Sequence, residues 1–405
     1  MKDVIVIGAG ASGLMAACVA AERGNRVIVL EKNEKAGKKI YITGKGRCNV
    51  TNAIQPADFL NNVVTNAKFL TGCIYKFSPE MLMRRLEEGG LRLKTERGNR
   101  VFPESDKASD VTRCLQTQCE RAGVEFRFNE NVVSIEKDEQ IFQVSTQSEK
   151  FEADAVILCT GGVSYPATGS TGDGYRFAEK FGHTVHALRP ALCGIVCNMQ
   201  GLSGLQGLSL KNVRVSAVKG EKSFADFFGE MLFTHFGVSG PVILSLSSIL
   251  SKGDLRDIHL SIDLKPALDA DTLDKRLLRE FDANKNRQLL NIMPALLPKS
   301  LIDPVLAQSG VPETIQANAV TKKQREMLIR ALKDFRLLPL SLRPIEESIV
   351  TAGGVDVREV DPKTMESKLV PGLFLCGEVL DVDALTGGFN LQIAFSTGYA
   401  AGNSI

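Results

Sequence analysis

The feature that most constrains this chain is a glycine fingerprint set between two short apolar runs. Val4-Ile5-Val6-Ile7 leads into Gly8-Ala9-Gly10-Ala11-Ser12-Gly13, and Val27-Ile28-Val29-Leu30 follows within thirty residues. A continuous apolar run of this length fits a strand buried on both faces. The segment between, Leu14 to Glu22, is rich in good helix formers, and Gly24 suits its C-terminal end. Strand, helix and parallel strand form a βαβ unit, the start of a Rossmann-like α/β domain. The residue types match a dinucleotide site. Gly8 permits the tight turn, Gly10 lets a pyrophosphate approach the backbone, and Gly13 lets helix and strand pack closely. Ala11 and Ser12 open the helix, where free N–H groups face the phosphates. Glu31 ends the second strand and is placed to accept hydrogen bonds from an adenosine ribose, with Lys32 beside it.

Further glycine elements follow later apolar runs. Thr160-Gly161-Gly162 succeeds the run Asp154 to Cys159, and Gly377-Glu378 succeeds Leu373-Phe374-Leu375-Cys376. Gly387-Gly388-Phe389-Asn390-Leu391 then opens a final helical stretch. A simple NAD dehydrogenase has no use for these late elements. An extended FAD does, because it must be held again at its ribityl and ring ends. A helix N-terminus aimed at the flavin would stabilise the negative charge of its reduced form.

After about residue 190 the pattern changes. Val213, Val215 and Ala217 alternate with polar residues, as do Ile258, Leu260 and Ile262, which fits half-exposed antiparallel strands. Residues 269–335 have a helical pattern with Pro294, Pro298, Pro304 and Pro312 as breaks. The expected organisation is an FAD-binding domain in two segments, 1–190 and 345–405. Between them lies an inserted substrate or cap domain, 191–344, β-rich over 191–265 and helical over 266–335. Strands at 124–128 and 131–146 are expected to pair with each other.

Composition narrows the partners. Lys+Arg number 49 against 47 Asp+Glu, and no basic run occurs, so no nucleic-acid partner is expected. No apolar stretch approaches the roughly 18 residues needed to cross a bilayer, and no membrane partner is expected. Nine cysteines without a C-x-x-C motif, and four histidines without ligand spacing, predict neither a disulfide scaffold nor a metal site. A reducing cytoplasm is the expected compartment, and the oligomeric state stays open.

Several stretches together resemble the BaiN-like, or aminoacetone-oxidase, family of two-dinucleotide-binding-domain flavoproteins. They are TGKGRCNVTN (43–52), TGGVSYPATGSTGDGYRFAEKFGH (160–183), EMLFTHFGVSGP (230–241), TAGGVD (351–356) and the long stretch 372–402. One departure is Ala384, where the family commonly carries Gly. The resemblance implies FAD, with NAD(P)H as a transient electron donor and a small-molecule substrate. An unsaturated, enone-type acceptor is the first expectation; an amine oxidised at the expense of O₂, or an FAD-dependent RNA-modifying role, are the alternatives. It places Gly44, Arg47, Cys48, Asn49 and Thr51 at FAD, with Cys48 packing or touching the flavin and a covalent flavin link or redox thiol as the alternative. It also places a backbone contact to adenine at Val133 and an acid for the ribityl hydroxyls at Glu378. Gly172 and Asp173 stand near FAD, with Asp173 as the cap of the helix after it the alternative. Asp381 and Asp383 are either site residues or surface acids. His235 is the candidate proton donor, with a structural role as the alternative.

Overall fold

The computed structural model describes residues 1–405, which divide into two compact units: Met1–Ala191 with Pro344–Ile405, and Leu192–Arg343. The first unit is built on a five-stranded sheet. Its strands run in the order Leu373–Leu375, Ala155–Leu158, Asp3–Ile7, Arg26–Glu31 and Glu125–Phe128, and every pairing is parallel. Parallel strands need both faces covered. The three inner strands are accordingly almost wholly buried.

The helix after the first glycine turn, Ala11–Glu22, is buried from Ala11 to Ala21 and has no polar face. A helix apolar all round must be enclosed. The last helix, Phe389–Gly402, encloses it, and the two approach closely because one side carries no side chain. A Cβ on Gly398 would stand 2.3 Å from the Ser12 carbonyl oxygen, and one on Gly402 would stand 2.4 Å from that of Ala16. The chain's two ends are thus packed backbone against backbone.

The segment 124–128 does not pair with the strands after it. Glu125–Phe128 joins the edge of the parallel sheet beside Arg26–Glu31. Asn129 then takes a left-handed conformation at φ +60°, and the Glu130 N–H donates to the Glu31 carbonyl. That turn directs Val132–Asp138 away into a separate antiparallel sheet with Ile141–Thr146 and Lys150–Ala153.

The second unit contains a seven-stranded antiparallel sheet. Its order is Phe335–Leu337, Ile258–Asp263, Ser209–Lys219, Lys222–Phe233, Gly237–Ser239, Ile195–Cys197 and Pro339–Leu342. The alternating residues Val213, Val215, Ala217, Ile258, Leu260 and Ile262 share one core with the helices Pro241–Leu250, Ala270–Ala283, Lys299–Ser309 and Lys322–Lys333. Pro304 does not break this pattern. It lies inside Lys299–Ser309, whose buried Leu301, Ile302, Val305 and Leu306 hold the helix together across the missing donor. No helix is long and apolar enough to cross a membrane.

Gly398→Ala sets two effects against each other. Alanine gains up to about 1 kcal/mol of helix propensity, whereas overpacking costs roughly 1–3 kcal/mol. With a backbone oxygen 2.3 Å away, overpacking should win, and chemical denaturation should show a net loss of stability.

Candidate functional site

The first glycine turn is fixed from both sides. Gly8 sits at φ +99° and donates its N–H to the Leu30 carbonyl at 2.8 Å. A Cβ on it would meet the Cys159 carbonyl oxygen at 2.6 Å, and one on Gly13 would meet the Gly8 oxygen at 1.9 Å. A Cβ on Gly10, by contrast, would meet nothing within 4 Å. The turn is therefore packed on its protein side and open beside the helix start at Ala11 and Ser12. No side chain caps that helix and no acid stands in its first turn. Its N–H groups and positive dipole end remain available to an anion.

Glu31 is buried at the open end of the turn. One carboxylate oxygen accepts from the Ala9 N–H at 2.8 Å. The other accepts from the Asn33 backbone at 2.9 Å and its side chain at 2.6 Å. Lys32 reaches across to Asp173 at 2.6 Å and to the Thr171 hydroxyl. Burial would raise the Asp173 carboxyl, but hydrogen bonds from Lys32 and Thr171 outweigh it and hold the group below its usual range. Asp173 is not the cap of the helix Asp173–Lys180. Gly172 occupies that position at φ +81°, and Asp173 spends its oxygens on Lys32, Thr171 and Arg176 instead.

The second and third glycine elements meet at one carboxylate. Glu378 accepts from the Lys39 ammonium at 2.8 Å, the Thr351 N–H at 2.7 Å and the Ser164 hydroxyl at 3.2 Å. Lys39 also donates to Ser164 at 2.6 Å. A Cβ on Gly162 would lie 2.3 Å from the Thr351 hydroxyl oxygen and 2.9 Å from Glu378. Gly377 is in the left-handed region at φ +73°, with its open side against Ser12 of the first helix. Gly161 is left-handed too, at φ +73°, and the Thr160 hydroxyl beside it is buried with no partner. The Tyr175 phenol donates to the Glu378 carbonyl at 3.2 Å; burial first, then the charges of Glu378 and Asp381, hold it protonated. Lys39, Ser164 and Thr351 were not singled out by the sequence. Their only signal is that each lies in or beside a glycine-bearing stretch.

The loop 43–52 and the start of the last helix form a third cluster. The Thr51 hydroxyl donates to the buried Gln392 carboxamide at 2.6 Å, and Asn52 donates to the Gly387 carbonyl at 3.1 Å. Gly388 caps the helix at φ +97°, and a Cβ there would stand 2.4 Å from the Thr51 oxygen. Phe389 packs edge-on against Phe59, and Asn390 uses both ends of its carboxamide on the Ala384 backbone. Leu391 packs partly buried against the core. This second helix start also lacks a side-chain cap and an acid.

Within the loop, Gly44 turns at φ +57°, where a Cβ would lie 2.9 Å from the Asn49 nitrogen. The Asn49 carboxamide oxygen is buried without a partner. Cys48 is fully buried, and burial pushes its thiol up to about 12, which makes it a poor nucleophile. Arg47 directs its guanidinium to Glu96 and Asp106 and lies over the Phe102 ring, not to any glycine element. Val133 stands at a register shift in its strand, where backbone groups leave the ladder. Asp381 and Asp383 are buried, so neither is a surface acid. His235 is exposed in the turn before Gly237, edge-on to Phe236 in the second unit.

The glycine elements of the first unit thus offer two bare helix N-termini, the open side of Gly10, and unpartnered buried oxygens at Thr160 and Asn49. That donor set fits a long molecule with an anionic middle and polar groups at both ends, as FAD is. The family described as "HI0933-like protein Rossmann domain" matches residues 2–404. A ribosomal RNA dihydrouridine synthase of Escherichia coli is 31% identical over 404 residues, covering 100% of this chain and 98% of that one. A 3-dehydro-bile acid delta(4,6)-reductase of Clostridium scindens is 32% identical over 408 residues, covering 100% and 99%. Among solved structures, a 3-ketosteroid-delta4-(5alpha)-dehydrogenase of Rhodococcus jostii superposes with a TM-score of 0.54 at 16% identity, over 100% of this chain and 96% of that chain. A 3-ketosteroid delta1-dehydrogenase of Sterolibacterium denitrificans gives 0.53 at 14%, over 99% and 98%; at such identities the likeness is one of fold. The chain belongs to the HI0933-like Rossmann-domain family and is an FAD-dependent oxidoreductase.

Proposed function

We propose that this protein reduces a carbon–carbon double bond conjugated to a carbonyl, with NAD(P)H as the source of the hydride. The observation that carries this reading is a chemistry common to both of the full-length relatives described above. A delta(4,6)-reductase of a 3-dehydro-bile acid and a synthase of dihydrouridine both saturate such a bond. In the steroid it is conjugated to the 3-ketone; in uracil C5=C6 is conjugated to the C4 carbonyl. Low net charge argues little against RNA when one of these relatives is named for it.

FAD, when bound, supplies the two-electron step: a hydride taken from the donor and one given to the acceptor, with a proton completing the saturated product. The chain's residues bind and orient it. Gly10, Ala11 and Ser12 would take the pyrophosphate at the first helix start, with Glu31 and Lys32 towards the ribose and the Val133 backbone towards adenine. Gly161, Gly162, Gly172 and Asp173 would line its middle, and Glu378, held by Lys39, would take the ribityl hydroxyls. Asn49 and Thr51, with Gly387 to Leu391, would face the ring, where the bare helix N-terminus favours negative charge. Arg47 would support this loop through its acidic partners.

Three outcomes test the reading. Anaerobic mixing of holoenzyme with NADPH or NADH should bleach the flavin, and an enone or unmodified ribosomal RNA should restore its colour; if neither nucleotide bleaches it, the reductase assignment fails. Lys39→Met should weaken FAD binding about tenfold, equivalent to about 1.4 kcal/mol, with Lys39→Arg recovering part of the loss by flavin fluorescence titration. Gly10→Ala should leave apoprotein stability within about 1 kcal/mol yet weaken FAD binding, while Gly13→Ala should lower stability itself by roughly 1–3 kcal/mol.

A further inference from the structure

Residues 192–343 carry 20 Lys and Arg against 15 Asp and Glu, an excess hidden in the whole-chain balance by the acidic remainder. Part of that excess is gathered by the fold. Two short segments, 284–288 (NKNRQ) and 316–323 (QANAVTKK), run side by side. The Asn318 N–H donates to the Lys285 carbonyl at 3.1 Å and the Ala317 N–H to that of Arg287 at 3.0 Å. Gln288 and Gln316 form a bridge, and the Asn318 carboxamide reaches that of Asn286 at 3.4 Å. Lys285, Arg287, Lys322 and Lys323 are all exposed on these segments, interleaved with exposed amides at Asn286, Gln288, Gln316 and Asn318. Neither segment contains an acid. A single weak contact, Lys285 to Asp282 at 4.0 Å, offsets any of the four cations. Asp282, Glu313 and Glu326 flank the segments in sequence, and the nearby Asp274 is taken by Arg325.

Local stability does not explain the arrangement. Lys322 and Lys323 occupy the first turn of the helix Lys322–Lys333, which holds no acid there. Cations at a helix N-terminus are opposed by its dipole, by about 0.3–1 kcal/mol each. The capping box of Thr321 and Gln324 keeps the turn formed despite them. A surface that keeps repelling cations together, with amides and without acids, fits a polyanion whose sugars and bases also accept and donate hydrogen bonds.

We propose that 284–288 and 316–323 form a docking surface for ribosomal RNA, with the four cations on phosphates and the amides on sugar and base edges. This rests on the conjugated-bond reading above, taken with RNA as the carrier of the reacting base. It was invisible as a sequence run because the whole stretch 289–315 lies between the two segments.

The test uses full-length FAD-loaded protein and unmodified ribosomal RNA transcripts in filter binding across salt concentrations. The variant is K285Q/R287Q/K322Q/K323Q, with exposed side chains and none placed at the flavin. Wild type should bind, and the variant should bind at least ~10-fold more weakly. Its log affinity should fall less steeply with log salt, by roughly 0.7–0.9 for each phosphate that the removed cations had neutralised. FAD content and small-enone turnover should be unchanged. No RNA binding by wild type, or equal binding by the variant, overturns the proposal, as does residue-dependent binding to phosphatidylserine vesicles or an acidic protein with none to RNA. RNA held through these residues but with no uridine or enone reduced would leave the docking surface standing and sink the conjugated-bond reading; enone reduction without RNA binding does the reverse.

Discussion

The ion pair between Lys39 and Glu378 is the join on which the nucleotide-binding unit depends. It spans 339 residues of chain and draws in Ser164 and Thr351, so four distant segments are tied at a single carboxylate. An exposed pair would contribute little, about 0–1 kcal/mol. This one is mostly shielded, with side-chain exposures of 21% and 16%, and each oxygen of the acid is occupied. Hydrogen bonds to a charged group are worth about 1.5–3 kcal/mol, and removing one partner leaves a poorly solvated charge behind. Geometry adds to the energy. Gly162 leaves no room for a side chain beside Thr351 and Glu378, and the Val163 and Ser164 N–H groups that follow it donate to the Thr351 hydroxyl.

The same logic of close approach governs the helices. The first helix meets the last through Gly398 and Gly402, and meets the third glycine element where Gly377 faces Ser12. The N-terminus of the chain and its C-terminus are therefore not separable parts of the nucleotide fold. Glycine serves two distinct purposes here. At Gly8, Gly13, Gly377 and Gly388 its missing side chain is filled by protein; at Gly10 the space stays open. The open space at Gly10 leaves the backbone of the first turn accessible to a ligand.

That distinction also separates what the sequence reveals from what it hides. Continuous apolar runs announced the central strands, since burial on both faces leaves a mark on every residue. Glycines after those runs announced the turns. Partners of charged residues leave no such mark. Arg47 has the composition of a phosphate ligand but binds Glu96 and Asp106, while Lys39, with nothing to distinguish it from Lys38 beside it, reaches Glu378. Asp173 has the residue type and position of a helix cap, yet Gly172 takes the cap because Lys32 claims the carboxylate. The strand at 125–128 has an apolar pattern equally suited to either neighbour, and a left-handed Asn129 decides between them. In each case a long-range contact settled a choice that periodicity leaves degenerate.

Substrate chemistry gives the basic surface a reason to exist. A steroid enone is a good hydride acceptor, because nothing feeds electrons into its β carbon. The corresponding carbon of uracil is attached to a ring nitrogen whose lone pair does so, which makes the base a poorer acceptor and raises the barrier. Such a deficit is met by positioning: binding energy from parts of a substrate that do not react can hold the reacting carbon in place. A small steroid has few such parts, whereas an RNA has a phosphate at every nucleotide. An enzyme of this fold working on a weak acceptor in RNA therefore needs cations that take no part in the chemistry, and Lys322 and Lys323, held against their own helix dipole, are cations of that kind.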